Sequence, residues 1–246
     1  MPEQPVFNAV VASKLQRMVL IVTYNWMITP TISILQRLYD GFFAHVVHCG
    51  TFNETSIAAN NSFLPVRDIN VIYVTEEEMY QGMYAYICTV KAIQLGFRNI
   101  DGYITVADDA VFNFWNDVDY SYFRGIDNME TRDNRKTWWW TTTWGSQAIF
   151  NSTKHFRVET VNAPHSKLSQ AVHQMNSLTD GMAYQYMEHA NSWMNADWYF
   201  LPKNNDWVFA ELGEVMQEKS VFHEMAVPRL ATAYGHKPVF LDKERL

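Results

Sequence analysis

Two adjacent acids close an apolar run in GYITVADDAVFNFWN, residues 102–116, where Asp108 and Asp109 follow six residues of strand-like pattern. Two carboxylates at the end of a strand are what a divalent cation bridging a diphosphate requires: hard oxygen ligands, held rigidly, with coordination positions left for phosphate oxygens. Acids at such a point also begin turns, and on the pair alone both readings stand. A second polar pair, Tyr24 and Asn25, ends another apolar run, MVLIVTY at residues 18–24. Ligands of open parallel sheets sit beyond the carboxyl ends of the strands, so two such strands in one sheet would bring both pairs to one rim.

The elements that must position them follow from periodicity. MVLIVTY reads as a strand buried on both faces. Thr29 and Pro30 open a helix to about Asp40, with Ile32, Leu35 and Leu38 at helical spacing and Gly41 as its stop. Strands are expected at 45–50 and 70–75, a single helix over 76–96 led by three acids, and a fourth strand at 102–109. Strand and helix alternating in this way predict an α/β fold with a mainly parallel sheet and right-handed crossovers. Beyond residue 117, the polar stretch 119–136 reads as turns and WWWTTTWGSQAIF, 138–150, as one or two strands broken at Gly145. Residues 165–193 read as helical, DWYFLP as a short strand, and 206–234 as helix interrupted before Pro228.

Composition narrows the partners. A net charge of -7, with no cluster of Lys and Arg, argues against nucleic acid or an anionic membrane. No window approaches the ~18 apolar residues of a membrane span, so the segment reads as soluble, and its ending suggests an excerpt of a longer chain. Nine Trp in 246 residues suggest that some rings line a cleft. Cys49 and Cys88 both lie in apolar surroundings and are expected to be buried thiols rather than a disulfide. Sequons at Asn53, Asn60 and Asn151 would suit a secreted or lumenal protein, although about two such matches arise by chance in so Asn-rich a chain.

VADDAVF resembles the metal-binding acidic segment of GT-A glycosyltransferases, and the exostosin-like transferases are the most similar of these. That family has three successive acids, and here Ala107 stands in place of the first. Thr23, Tyr24 and Asn25 look like the family's nucleotide-contacting turn, followed by Trp26 where a basic residue is expected. Residues 139–156 resemble its strand, glycine break and helix start beside the acceptor, and VFHEMAVPRLATAYGHKPVF, 221–240, its acid-bearing helix.

The resemblance implies a single GT-A-like domain over 1–246, with a nucleotide-sugar half at 18–117 and an acceptor half at 118–246. It implies transfer of a hexose or N-acetylhexosamine from a UDP-sugar to a hydroxyl of a glycan or other acceptor. In it Thr23, Tyr24, Asn25 and Asp108 hold the donor, Asp109 and His236 hold Mn²⁺ or Mg²⁺, and Glu224 acts as base on the acceptor, with His223 a competitor for either late role. A Golgi lumen location follows if the full-length chain carries an anchor. The principal rival is a silent carbohydrate-binding or scaffolding module of the same fold, favoured by Ala107 and Trp26. A nucleotidyltransferase ranks lower, because TYNWMITP has neither the glycines nor the basic residues of its phosphate loop.

Overall fold

A computed structural model of the chain describes residues 9–26, 29–52, 57, 69–115, 118–126, 142–188, 193–233 and 239–241. Among these the strands are β1 (Met18–Thr23), β2 (His45–Gly50), β3 (Asn70–Tyr73), β4 (Gly102–Ala107), β5 (Arg124–Ile126), β6 (Asn195–Pro202) and β7 (Val239–Leu241). They form one sheet in the order β3-β2-β1-β4-β6-β5-β7. Every strand but β6 runs in one direction; β6 lies antiparallel between β4 and β5. The mainly parallel α/β architecture expected from the alternating pattern is present.

The helices are α1 (Ala9–Leu15), α2 (Thr29–Tyr39), α3 (Glu76–Met79), α4 (Ile87–Gln94), α5 (Thr143–Asn162), α6 (Lys167–Leu178), α7 (Ala183–Glu188), α8 (Asp206–Glu218) and α9 (His223–Ala233). They cover both faces of the sheet, which is why β1 is buried at all six positions. Val19 and Ile21 point into the larger core, shared with α4 and with α5 to α9; Met18, Leu20 and Val22 point into the smaller one, filled by α1, α2 and the rings of Phe112 and Phe114. Inside the larger core Thr89 on α4 meets Thr105 at 2.7 Å and the Tyr199 hydroxyl at 2.6 Å, tying helix, β4 and β6 at one buried polar point.

Three expectations need correction. Residues 76–96 are two helices: after α3, capped by a Thr75–Glu78 box, Tyr80, Gln81 and Gly82 take left-handed backbone, and α4 starts only at Ile87. Residues 142–150 are not strand, because the Thr142 hydroxyl accepts from Gly145 N at 3.1 Å and starts α5; residues 138–141 lie outside the described set. The helical stretch 165–193 divides into α6 and α7 around Asp180 and Gly181, both at positive φ. The interruption expected before Pro228 in 206–234 is present, at 219–222 with Ser220 at φ 62, and Pro228 itself sits inside α9. In that position Pro228 has no N–H for the carbonyl of Glu224, four residues earlier, and that carbonyl instead accepts from Met194 N at 3.1 Å.

The cysteines are also corrected: Cys49 and Cys88 form a disulfide, with Cα atoms 5.8 Å apart. Cys49 faces the larger core from β2, and α4 lays Cys88 over it in the same cluster. Apolar surroundings were legible in the sequence; the juxtaposition of strand and helix was not. With the partners 39 positions apart, the chain-entropy relation assigns the bond roughly 4 kcal/mol. Cys49→Ala/Cys88→Ala is therefore expected to lose about 2–4 kcal/mol in urea unfolding under non-reducing conditions, and the denatured native chain to titrate no free thiol. An unchanged midpoint with two titratable thiols would contradict the bond.

Candidate functional site

The rim is built by how β1 ends. Thr23 O accepts from Asp108 N at 3.0 Å on the β4 side, and Tyr24 N donates to Cys49 O at 2.9 Å on the β2 side. The chain is thus gripped on both flanks before it leaves the sheet. The Tyr24 ring turns into the smaller core, packs edge-on against Phe52, and meets His48 Nδ1 at 2.9 Å. With Gln36 Oε1 accepting from His48 Nε2–H at 2.9 Å, the Nδ1 lone pair accepts the hydrogen bond that the Tyr24 hydroxyl donates. Burial holds His48 neutral, with its pKa down at about 4, and pushes the Tyr24 phenol up. Tyr24 therefore offers the rim its backbone, while the side chains of Asn25 and Trp26 are exposed.

Asn25 rests on the left-handed turn between α3 and α4. Gly82 has φ 85, and a Cβ there would strike the Asn25 carboxamide. The same turn reaches the other end of the rim: His223 N donates to Met83 O at 2.7 Å and the Tyr86 hydroxyl to Val221 O at 3.0 Å. One loop thus holds both the turn after β1 and the start of α9.

Asp108 and Asp109 follow β4 in a tight turn closed by Ala110 N donating to Ala107 O at 3.1 Å, so the turn-forming role of the acids is fulfilled as well. Asp108 is half-buried and Asp109 exposed. Burial first, and Asp109 second, push the Asp108 pKa up to about 6. A third acid, Asp197 at the start of β6, had no sequence signal beyond the strand it begins. Its pKa is raised by desolvation and then by Asp109, even though its surface is open to solvent.

Glu224 is half-buried on the first turn of α9, and its Oε2 has no hydrogen-bond partner among the described residues. Burial first and Asp197 second raise its pKa to about 7. The order of influence runs from Tyr24 through Asp108, Asp109 and Asp197 to Glu224, so residues more than a hundred positions apart share one electrostatic neighbourhood. His223 does not join it: fully buried, stacked on Tyr86 and bonded through Nε2 to Ala196 O at 3.0 Å, it is held neutral with a pKa near 4. His236 lies outside the described residues.

The donor set suits a hard cation, since Asp108 and Asp109 supply carboxylate oxygens and the raised acids would gain from positive charge. Among the described residues no three His, Cys, Asp or Glu side chains group closely enough to hold a metal by themselves, so phosphate oxygens would have to complete the shell. A separate cavity of about 300 Å³ is lined by Ser146, Ile149, Phe150 and Glu188 and contains none of these residues.

Two outcomes follow. Because the folded pKa of Glu224 lies above its ordinary value of 4.5, its contribution to stability is fully present below about pH 4.5 and is lost as pH rises through about 7. Glu224→Gln is expected to be more stable than the native chain at pH 8 by about 1–2 kcal/mol and to close that gap at pH 4.5; a pH-independent difference in thermal unfolding would contradict the shift. Gly82→Ala forces a Cβ into positive φ and against the Asn25 carboxamide, so it is expected to lower stability by about 1–2 kcal/mol in urea unfolding; an unchanged midpoint would contradict that contact.

A model of the family described as STELLO glycosyltransferases matches residues 4–197, a span that includes β1 to β4, the turn after β1, both acids after β4, and Asp197. No curated protein and no solved structure matches the chain.

Proposed function

The chain belongs to the STELLO glycosyltransferase family, and on that premise we propose that it is a GT-A-like enzyme moving a hexose or N-acetylhexosamine from a UDP-sugar to a hydroxyl acceptor. The observation that supports this most directly is the Asp108 N to Thr23 O hydrogen bond, which sets the acids after β4 beside the turn after β1. A nucleoside diphosphate is long enough to lie along such a rim, with one end on Asn25 and the other on Asp109.

In this reading Thr23 and Tyr24 shape the turn through their backbone, and the Asn25 side chain contacts the nucleotide. Asp108 accepts from ribose or sugar hydroxyls. Asp109, aided by His236, would ligate Mn²⁺ or Mg²⁺, which when bound neutralises the departing diphosphate. The Glu224 carboxylate accepts the proton of the acceptor hydroxyl; a group whose pKa is near 7 is deprotonated in an adequate fraction at neutral pH and still basic enough to take it. Its Oε2 is closed off from solvent and has no hydrogen-bond partner among the described residues, and burial is the main cause of its raised basicity.

The Cys49–Cys88 bond supports an oxidising compartment, and with it a lumenal site in the secretory pathway such as the Golgi. No helix among the described residues is long and apolar enough to cross a membrane. The rival reading, a carbohydrate-binding module without catalysis, draws on Ala107 and on Trp26, which is 66% exposed at the place where a basic residue would meet the diphosphate.

Incubation with a panel of UDP-sugars and Mn²⁺, scored for UDP release, separates the two. Release by the native chain and a loss of at least ~10²-fold in Asp109→Ala is the expected result. No release from either form with acceptor supplied would favour the silent module, and equal release from both would contradict the role given to Asp109.

A further inference from the structure

The start of β6 is built unlike the rest of the strand. Between β5 and β6 the register passes from Gly125↔Tyr199 to Ile126↔Asn195, so one step on β5 corresponds to four on β6. The surplus is a bulge at Ala196–Trp198. Ala196 packs in the larger core and Trp198 in the smaller one against Phe112, although two residues of the same parity would ordinarily share a face. Asp197 between them is turned outward. Its N–H takes Asn195 Oδ1 at 3.0 Å, which fixes the turn locally.

The bulge is anchored on both flanks to α9. Met194 N donates to the Glu224 carbonyl that Pro228 leaves open, at 3.1 Å, and His223 Nε2 donates to Ala196 O at 3.0 Å. On its other side β6 pairs with β4, the last partners being Val106↔Trp198. Asp197 and Ala107 are the next residues beyond the end of that ladder, on β6 and β4 respectively. Asp197 thus stands between the acids after β4 and the carboxylate of α9, and its charge is felt by Glu224 while it feels that of Asp109. Among the described residues no ion pair engages it.

Resting on the donor-binding reading above, we infer that Asp197 is the residue that reads the transferred sugar, its carboxylate accepting hydrogen bonds from hydroxyls of the hexose held between Asp109 and Glu224. A carboxylate is an acceptor with four lone-pair sites and takes two neighbouring sugar hydroxyls at once. The spacing argues for a sugar rather than a shared cation, because Asp109, Asp197 and Glu224 are not gathered tightly enough to ligate one ion.

The test is calorimetric titration of the full chain in saturating Mn²⁺, native, Asp197→Ala and Asp197→Asn, with UDP and with UDP-glucose, UDP-galactose and UDP-N-acetylglucosamine. In Asp197→Ala the affinity for whichever UDP-sugar the native chain binds is expected to fall about tenfold or more, with Asp197→Asn intermediate. Affinity for UDP itself is expected to be unchanged or tighter, since a negative charge near the diphosphate has been removed; this also reports that the variants are folded. UDP and UDP-sugar weakened alike, or UDP-sugar affinity left intact, would overturn the inference. A native chain that binds neither ligand would instead overturn the donor-binding reading, and this inference with it.

Discussion

The hydrogen bond from Asp108 N to Thr23 O is the final rung of the parallel ladder between β1 and β4, and the candidate site depends on it. A parallel ladder brings strand ends to a common level, and here it sets the first free carboxylates of β4 beside the first free side chain after β1. Both strands are buried among helices on two faces, so a slip in their register would expose whole rows of apolar side chains. The Cys49–Cys88 bond and the Tyr24–His48–Gln36 chain hold β2 and the turn after β1 from opposite faces of the sheet. Core packing and the positions of the chemistry are therefore one constraint.

The second half of the rim is held by a different device. A proline inside α9 leaves the Glu224 carbonyl without its helical partner, and the start of β6 takes it. The turn after α3 then reaches both Asn25 and the start of α9. Three segments distant in sequence so meet at one turn, through the Asn25 side chain on one side and backbone hydrogen bonds to α9 on the other. Desolvation first and a neighbouring acid second raise the pKa values of Asp108, Asp197 and Glu224, an arrangement that costs stability and that a cationic ligand would relieve.

Legibility in the sequence followed the range of the forces involved. The four early strands and α2 were readable because apolar periodicity is local, and Asp108 and Asp109 because they end such a run. The turn at Tyr80–Gly82 was missed since Tyr80 and Gln81 take left-handed backbone without being Gly or Asn, with only Gly82 as a local sign. Thr142 was misread because a β-branched residue favours strand in isolation but caps a helix when its hydroxyl finds Gly145 N. Asp197 was invisible as a site residue: within DWYFLP it is an ordinary strand start, and only the bulge and the α9 contacts turn it to the rim. The disulfide was misjudged for the same reason, being a statement about two elements meeting.

A glycosyltransferase of this family must bind a sugar donor and an acceptor together, and the rim has two ends of suitable chemistry. The most direct measurement is the paramagnetic broadening of backbone amide signals when the isotope-labelled chain is titrated with Mn²⁺ and UDP together. If the account holds, signals from Thr23–Asn25, Gly82, Asp108, Asp109 and Asp197 vanish first, while those of Asp101 and Lys203 at the opposite end of the sheet persist. Uniform broadening, or loss confined to the far end, would contradict it.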